Sequence, residues 1–245
     1  MSNEKTKVKK RPYGKNKRNK GISSRQIMIG LVALGGLFLA VMLILPSINS
    51  IPSASDVILP TSVARPAADG LTVGDPNAPA KIDVFEDFQC PACKHYTEIV
   101  EQRILTELVT TGKAYYVFHN YAFLDRNSAT KESHQAAIAS LCANEQGRFW
   151  DYHDTLFANW NGENQGAFNN IHLVNFATAL KLDVDAFRTC LSKGRYADEV
   201  QASFDKGNSM GVKGTPSVFV NGQIVSPGKI PSFEDIAAAV DAALP

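Results

Sequence analysis

The chain has 245 residues, of which 44% are hydrophobic and 20% charged, a composition that excludes a disordered or low-complexity protein. Its net charge of +1 conceals a split: residues 1–26 carry ten Lys or Arg against the single acid Glu4, and the rest carries fifteen bases against twenty-three acids. A basic tail on a mildly acidic body implies that the two parts face different surroundings.

The apolar run "IMIGLVALGGLFLAVMLIL", residues 27–45, separates them without one polar side chain. As a helix it would span roughly 28 Å, the thickness of a bilayer's hydrocarbon core. We therefore expect a basic cytoplasmic tail at 1–26 and one transmembrane helix at 27–46, ended by Pro46, with the body outside the cytoplasm. A cleaved signal peptide is the competing reading, but its apolar region is shorter and "SAS" at 53–55 is a poor cleavage site. Beside such a span the bases set topology and meet anionic lipid, so no nucleic-acid partner is expected.

Residues 47–70, rich in Ser, Pro and Ala, read as a linker to a body at 71–245. A short strand in "LTVGDPNAPA" precedes the alternating strand "KIDVFEDF". The pattern then turns helical from Pro91, with Tyr96, Ile99, Val100, Ile104, Leu105 and Leu108 at three- and four-residue spacing and Gly112 as the stop. "AYYVFHNYAF" is the next strand, completing β–α–β. A helical block follows at about 126–212, in which Phe149, Trp150, Tyr152 and Phe157 are core candidates and Asp183 and Asp185 candidate N-terminal acids. "PSVFVNGQIV" is a hairpin turning at Asn221-Gly222, and "SFEDIAAAVDAAL" a last helix that Ser232 and Asp235 would cap.

The chemistry concentrates at Cys90 and Cys93, a CxxC pair where strand gives way to helix. There Cys90 meets unpaired N–H groups and the positive end of the helix dipole, which stabilise its thiolate. Pro91 suits the first turn because it lacks an N–H that would have no partner. A stabilised thiolate favours the reduced pair, which makes the disulfide more oxidising. A zinc half-site is disfavoured, because Cys142 and Cys190 have no CxxC partner of their own; no metal is expected. Outside the cytoplasm those two cysteines read as a structural disulfide rather than separate buried thiols. His95 reads as a solvated helix position, and Asp87 as a cap for the helix. Thr215-Pro216 opens a strand where proline is often cis.

Together "FEDFQCPAC", "CANEQGRFWDYHDTLF" and "GVKGTPSVFVNG" resemble the DsbA-like branch of the thioredoxin superfamily over about residues 71–245. The resemblance implies an α/β thioredoxin-like fold with an inserted helical domain, here preceded by the transmembrane helix. It implies that Cys90 is the exposed nucleophile and Cys93 the buried resolving thiol. It places Pro216 in the loop facing them, with Thr215 offering backbone to a substrate peptide. Two departures bear on redox tuning. Val84 stands where many relatives carry a buried acid, so proton transfer at Cys93 falls to water or Glu86. Ala92, after Pro91, stands where the strongest oxidants have histidine.

The function expected is a thiol-disulfide oxidoreductase that introduces disulfides into exported proteins with free thiols through a mixed disulfide. It needs no bound cofactor, and the resemblance implies reoxidation by a quinone-linked membrane partner. Alternatives are a reductase or isomerase on the same fold, or a non-catalytic binding module. Loss of a cysteine or of the proline would mark the last, and all three are present.

Overall fold

The computed structural model describes residues 25, 28–31, 33–36, 38, 53–61 and 63–245. The basic tail, apart from Arg25, and most of the apolar run fall outside the described residues. The N-terminal unit, 1–51, contributes helical residues within 25–38, with Met28, Ile29, Leu31, Leu34 and Phe38 exposed. Among the described residues no helix is long and apolar enough to cross a membrane.

In the second unit, Pro52–Pro245, the described residues form a five-stranded sheet ordered β1-β3-β2-β4-β5. These are β1 (Thr72–Val73), β2 (Ala80–Glu86), β3 (Ala114–Asn120), β4 (Ser217–Val220) and β5 (Gln223–Ile224). β2 and β3 run parallel from Ala80↔Ala114 to Glu86↔Asn120, while β4 is antiparallel to β2 and β1 to β3. β2 is central and buried at every position but Lys81, so the acids Asp83 and Glu86 of its alternating pattern are buried as well. The β4–β5 hairpin turns at Asn221-Gly222, with φ of +47° and +81°, the left-handed pair that a two-residue turn requires.

The β2–β3 crossover begins as α1 (Pro91–Tyr96) and continues through π-helical turns at Thr97–Glu101 and Ile104–Val109. The wider turn shifts the buried stripe to Tyr96, Val100, Ile104, Leu105, Leu108 and Val109, leaving Ile99 53% exposed. That corrects the regular helical spacing, which put Ile99 in the core.

Between β3 and β4 lie α2 (Glu132–Asn144), α3 (Phe149–Ala158), α4 (Asn170–Ala179), α5 (Val184–Ser192) and α6 (Ala197–Ser209). Asn169 and Asp183 cap α4 and α5 with their side chains. α7 (Phe233–Asp241) starts with a complete Ser232–Asp235 capping box. Phe149, Trp150, Tyr152 and Phe157 of α3 are buried, and Phe149 and Trp150 pack on Phe118 of β3, which joins the helical layer and the sheet into one core. Cys142 and Cys190 join α2 to α5 by a disulfide. Part of the segment read as a linker lies on the body. Asn159 bonds the Ile58 backbone, and the Arg65 guanidinium reaches Glu101 at 2.9 Å and Asp154 at 2.7 Å.

Candidate active site

The end of β2 aims the chain at its own helix. Asp87 to Gln89 turn, Cys90 N–H bonds the Asp87 carbonyl at 2.9 Å, and Cys90 becomes the N-cap residue of α1, with Pro91 in the first turn. Cys90 and Cys93 are free thiols, 6% and 0% exposed. Cys90 is thus less open than the exposed nucleophile the family resemblance implied. The loop before β4 lies against it: Cys90 Sγ sits 3.3 Å from the Thr215 carbonyl oxygen, and the Thr215–Pro216 peptide is cis. Pro216 is buried, Thr215 and Ala92 half-buried, and Pro91 exposed.

The two thiols differ electrostatically. The Cys93 thiol, donating to the Cys90 sulfur, is the largest influence that brings Cys90 from 9.0 down to about 6. Burial opposes the shift, while the Cys93 and Ala92 N–H groups add to it. The Thr215 carbonyl can only accept, so it holds the neutral thiol and works against ionisation. The helix start therefore acts as the sequence suggested, but through two N–H groups that rank below the neighbouring thiol. Cys93 is pushed well above its ordinary value by burial and by the charges on Glu86 and Cys90. At neutral pH the pair is a Cys90 thiolate backed by a Cys93 thiol.

Glu86, the last residue of β2, lies beneath the pair. Burial, then Glu101 and Cys90, raise its carboxyl well above the usual range, and it interacts with Cys93. Val84 is buried opposite Val218, so the acid near Cys93 sits two residues further along the strand than in relatives with an acid at that position. Asp87 does not cap α1. Its carboxylate accepts from the N–H groups of Gln89 at 2.9 Å and Leu124 at 3.0 Å, and burial raises it to about 7. His95 is exposed.

Gln89 carried no sequence signal, yet it locks the CxxC turn to the helical layer. Its amide donates to Ser133 at 2.8 Å and accepts from Asn164 N–H at 2.6 Å, while its carbonyl accepts from Trp160 at 2.7 Å. A second unforeseen feature is a buried polar cluster. One ligand-capable atom each from Glu86, Glu101 and His153 lie within 4.8 Å of one another.

A thiolate at a helix start, a buried partner thiol and a cis-proline loop across from them define a thiol-disulfide oxidoreductase. The family model described as Thioredoxin matches residues 67–242, and the chain belongs to that family. A Bacillus anthracis protein named probable disulfide bond formation protein D is 27% identical over 172 residues, 69% of this chain and 76% of that protein. The crystal structure of oxidised BdbD from Bacillus subtilis superposes with a TM-score of 0.64 at 23% identity, covering 74% of this chain and 96% of that one. Chlamydia trachomatis DsbA gives 0.60 at 22%, covering 75% and 96%. The two structures show the shared fold, with its helical insertion.

Proposed function

We propose that this protein introduces disulfides into exported proteins, with Cys90 as the nucleophile and Cys93 as the resolving thiol. The observation that carries this is the asymmetry of the pair: Cys90 lowered to about 6 beside the Thr215 loop, and Cys93 fully buried behind it. In the oxidised enzyme a substrate thiolate attacks Cys90 Sγ. The Cys90–Cys93 bond breaks, its electron pair goes to Cys93 Sγ, and the protonated Glu86 carboxyl supplies the proton. A second substrate thiolate then attacks the substrate sulfur of the mixed disulfide and releases Cys90 as the stabilised thiolate. The backbone at Thr215 and Pro216 holds the substrate chain against Cys90. Pro91 and Ala92 tune the pair from the first helical turn.

The body works outside the cytoplasm, tethered by a single-pass helix at 27–46 with the basic tail inside; of the expected linker 47–70, the part from Ile58 to Arg65 is bonded to the body, so the free tether is the stretch before it. Nineteen apolar residues preceded by ten bases support that topology. The Cys142–Cys190 disulfide supports an oxidising compartment. Reoxidation by a membrane protein linked to quinone completes the cycle, and no bound cofactor takes part. N-terminal sequencing of the mature chain tests the anchor, and a start after Ser55 would mean a cleaved leader. For the chemistry, full-length oxidised protein is mixed with a reduced, unfolded secreted protein and thiols are counted over time. Wild type should transfer its disulfide and Cys90→Ser should not. A wild type that leaves the substrate thiols intact would overturn the proposal.

A further inference from the structure

Cys93 is completely buried, yet it must gain a proton in each reduction of the pair and lose one in each reoxidation. Glu86 stands next to it but is itself sealed from solvent, so it needs a route to refill and empty. Glu101 and His153 provide one. His153 Nε2 lies 3.9 Å from Glu101 Oε2, and these atoms and a Glu86 carboxylate oxygen are within 4.8 Å of one another. Among the described residues, Glu86 Oε1 and His153 Nε2 have no hydrogen-bond partner, although both are buried. Orphaned polar atoms of that kind are costly in a fold that otherwise satisfies its polar groups. A carboxylate oxygen of Glu86 and a ring nitrogen of His153 lie within 4.8 Å of each other, a span that one bound water bridges.

The other ring nitrogen leads outward. His153 Nδ1 lies 2.9 Å from Asp154 Oδ1, and Asp154 is 10% exposed at a cleft of about 100 Å³ lined also by Arg65, Thr97 and Glu98. The charged and titratable groups around the path are few. Arg65, from the segment before β1, bonds both Glu101 and Asp154 and holds them in place. Tyr116 of β3 donates to Glu101 at 3.3 Å, and Tyr96 of α1 feels the charges of both Glu86 and Glu101. Cys90 and Cys93 close the inner end. Elsewhere the imidazole is enclosed by the rings of Phe88, Phe118, Phe149, Trp150 and Phe157, while Glu101 also borders the cleft directly. Arg65 also supplies the positive charge that a metal ion among these carboxylates would otherwise bring.

We propose that Glu101, His153 and Asp154 form a proton relay that connects Glu86, and through it Cys93, to the surface cleft at Arg65. When the Cys90–Cys93 bond breaks, the Glu86 proton moves to Cys93 Sγ. The Glu86 carboxylate is refilled from His153 Nε2–H, and the bare Nδ1 takes a solvent proton passed through Asp154, so the ring carries its proton on Nε2 before the step and on Nδ1, donated to the Asp154 carboxylate, after it. Reoxidation of the pair sends one proton back along the same groups. The imidazole thus passes a proton inward in one half of the cycle and outward in the other, without a ring flip. These are positioning and relay residues, since none touches the substrate sulfur. The inference rests on the reading of Cys93 as resolving thiol.

The test is rapid-mixing reduction of full-length oxidised protein by dithiothreitol, from pH 5 to 9, in H₂O and D₂O. The variants are His153→Gln, which cannot pass a proton between two ring atoms, and Glu101→Gln, near-isosteric in case the first fails to fold. General acid–base assistance is worth on the order of a hundredfold or more where it is fully lost. With water as a slower substitute, we expect at least a tenfold slower reduction, a solvent isotope effect larger than wild type, and a rate per dithiothreitol thiolate that falls with rising pH. The thiolate absorbance midpoint of Cys90 should stay where it is in wild type. Wild-type rates and isotope effects in the variants would overturn the relay, as would slower rates whose pH profile and isotope effect match wild type. A wild-type pair that no thiol reduces would instead overturn the underlying role of Cys93.

Discussion

Replacing Cys90 by serine should remove a specific, pH-dependent part of the reduced protein's stability. Cys90 titrates at about 6 in the fold against 9.0 for an unperturbed thiol. Its folded value lies below its unfolded one, so the stabilisation is complete above pH 9 and disappears as the pH falls through 6. Linkage between those two values gives at most about 0.4 kcal/mol at pH 6, ~1.4 at pH 7 and ~2.7 at pH 8. Serine does not ionise in this range, so it serves as the reference that cancels the titrating groups not coupled to Cys90, that is, all but Glu86 and Cys93. Urea unfolding of reduced wild type and reduced Cys90→Ser at pH 6, 7 and 8 reads the difference directly. We expect the gap to widen by about 2 kcal/mol from pH 6 to 8. For the same reason reduced wild type should resist urea better than the oxidised form at pH 7. Parallel stability curves for wild type and variant would refute a thiolate held by Cys93 and the helix start.

Other expectations concern the scaffold. The Cys142–Cys190 disulfide spans a sequence separation of 48, so replacing both by alanine should cost about 4 kcal/mol in the chain-entropy picture, measured by denaturant unfolding under oxidising conditions. Arg65→Ala leaves Glu101 and Asp154 buried without their shared cation and should destabilise by about 3–5 kcal/mol in the same assay. At Gly207 an added Cβ would lie 2.6 Å from Tyr121 Cδ2 and 3.2 Å from Phe85 Cδ1. Gly207→Ala should therefore cost about 1–3 kcal/mol despite alanine's better helix propensity, visible as a lowered Tm.

Much of this molecule is legible in the sequence because its elements obey local rules. Alternation located β2 and β3, Asn221-Gly222 located the hairpin, and CxxC at a strand end located the helix start that lowers Cys90. What escaped depends on contacts between distant residues. Gln89 meets Ser133, Asn164 and Trp160 only once the helical layer has folded over the turn. Arg65 looks like an isolated base in a Pro- and Ala-rich segment, and nothing local connects it to Glu101 and Asp154. Ile99 was misplaced because a π-helical turn changes the period that the pattern assumes. Asp87 sits at a helix-capping distance from α1, but its carboxylate turns instead to Gln89 and Leu124.

The most direct test of the proposed direction of chemistry is the reduction potential of the Cys90–Cys93 pair, obtained by equilibrating full-length protein with glutathione buffers. Within this fold a reductant lies near −270 mV and a strong oxidant near −120 mV, a span of about 7 kcal/mol for two electrons. The lowered Cys90 and the Pro91 turn favour the oxidising half. We expect a value above about −200 mV, where the pair donates its disulfide to exported proteins. A value below about −250 mV would contradict that and make the protein a disulfide reductase.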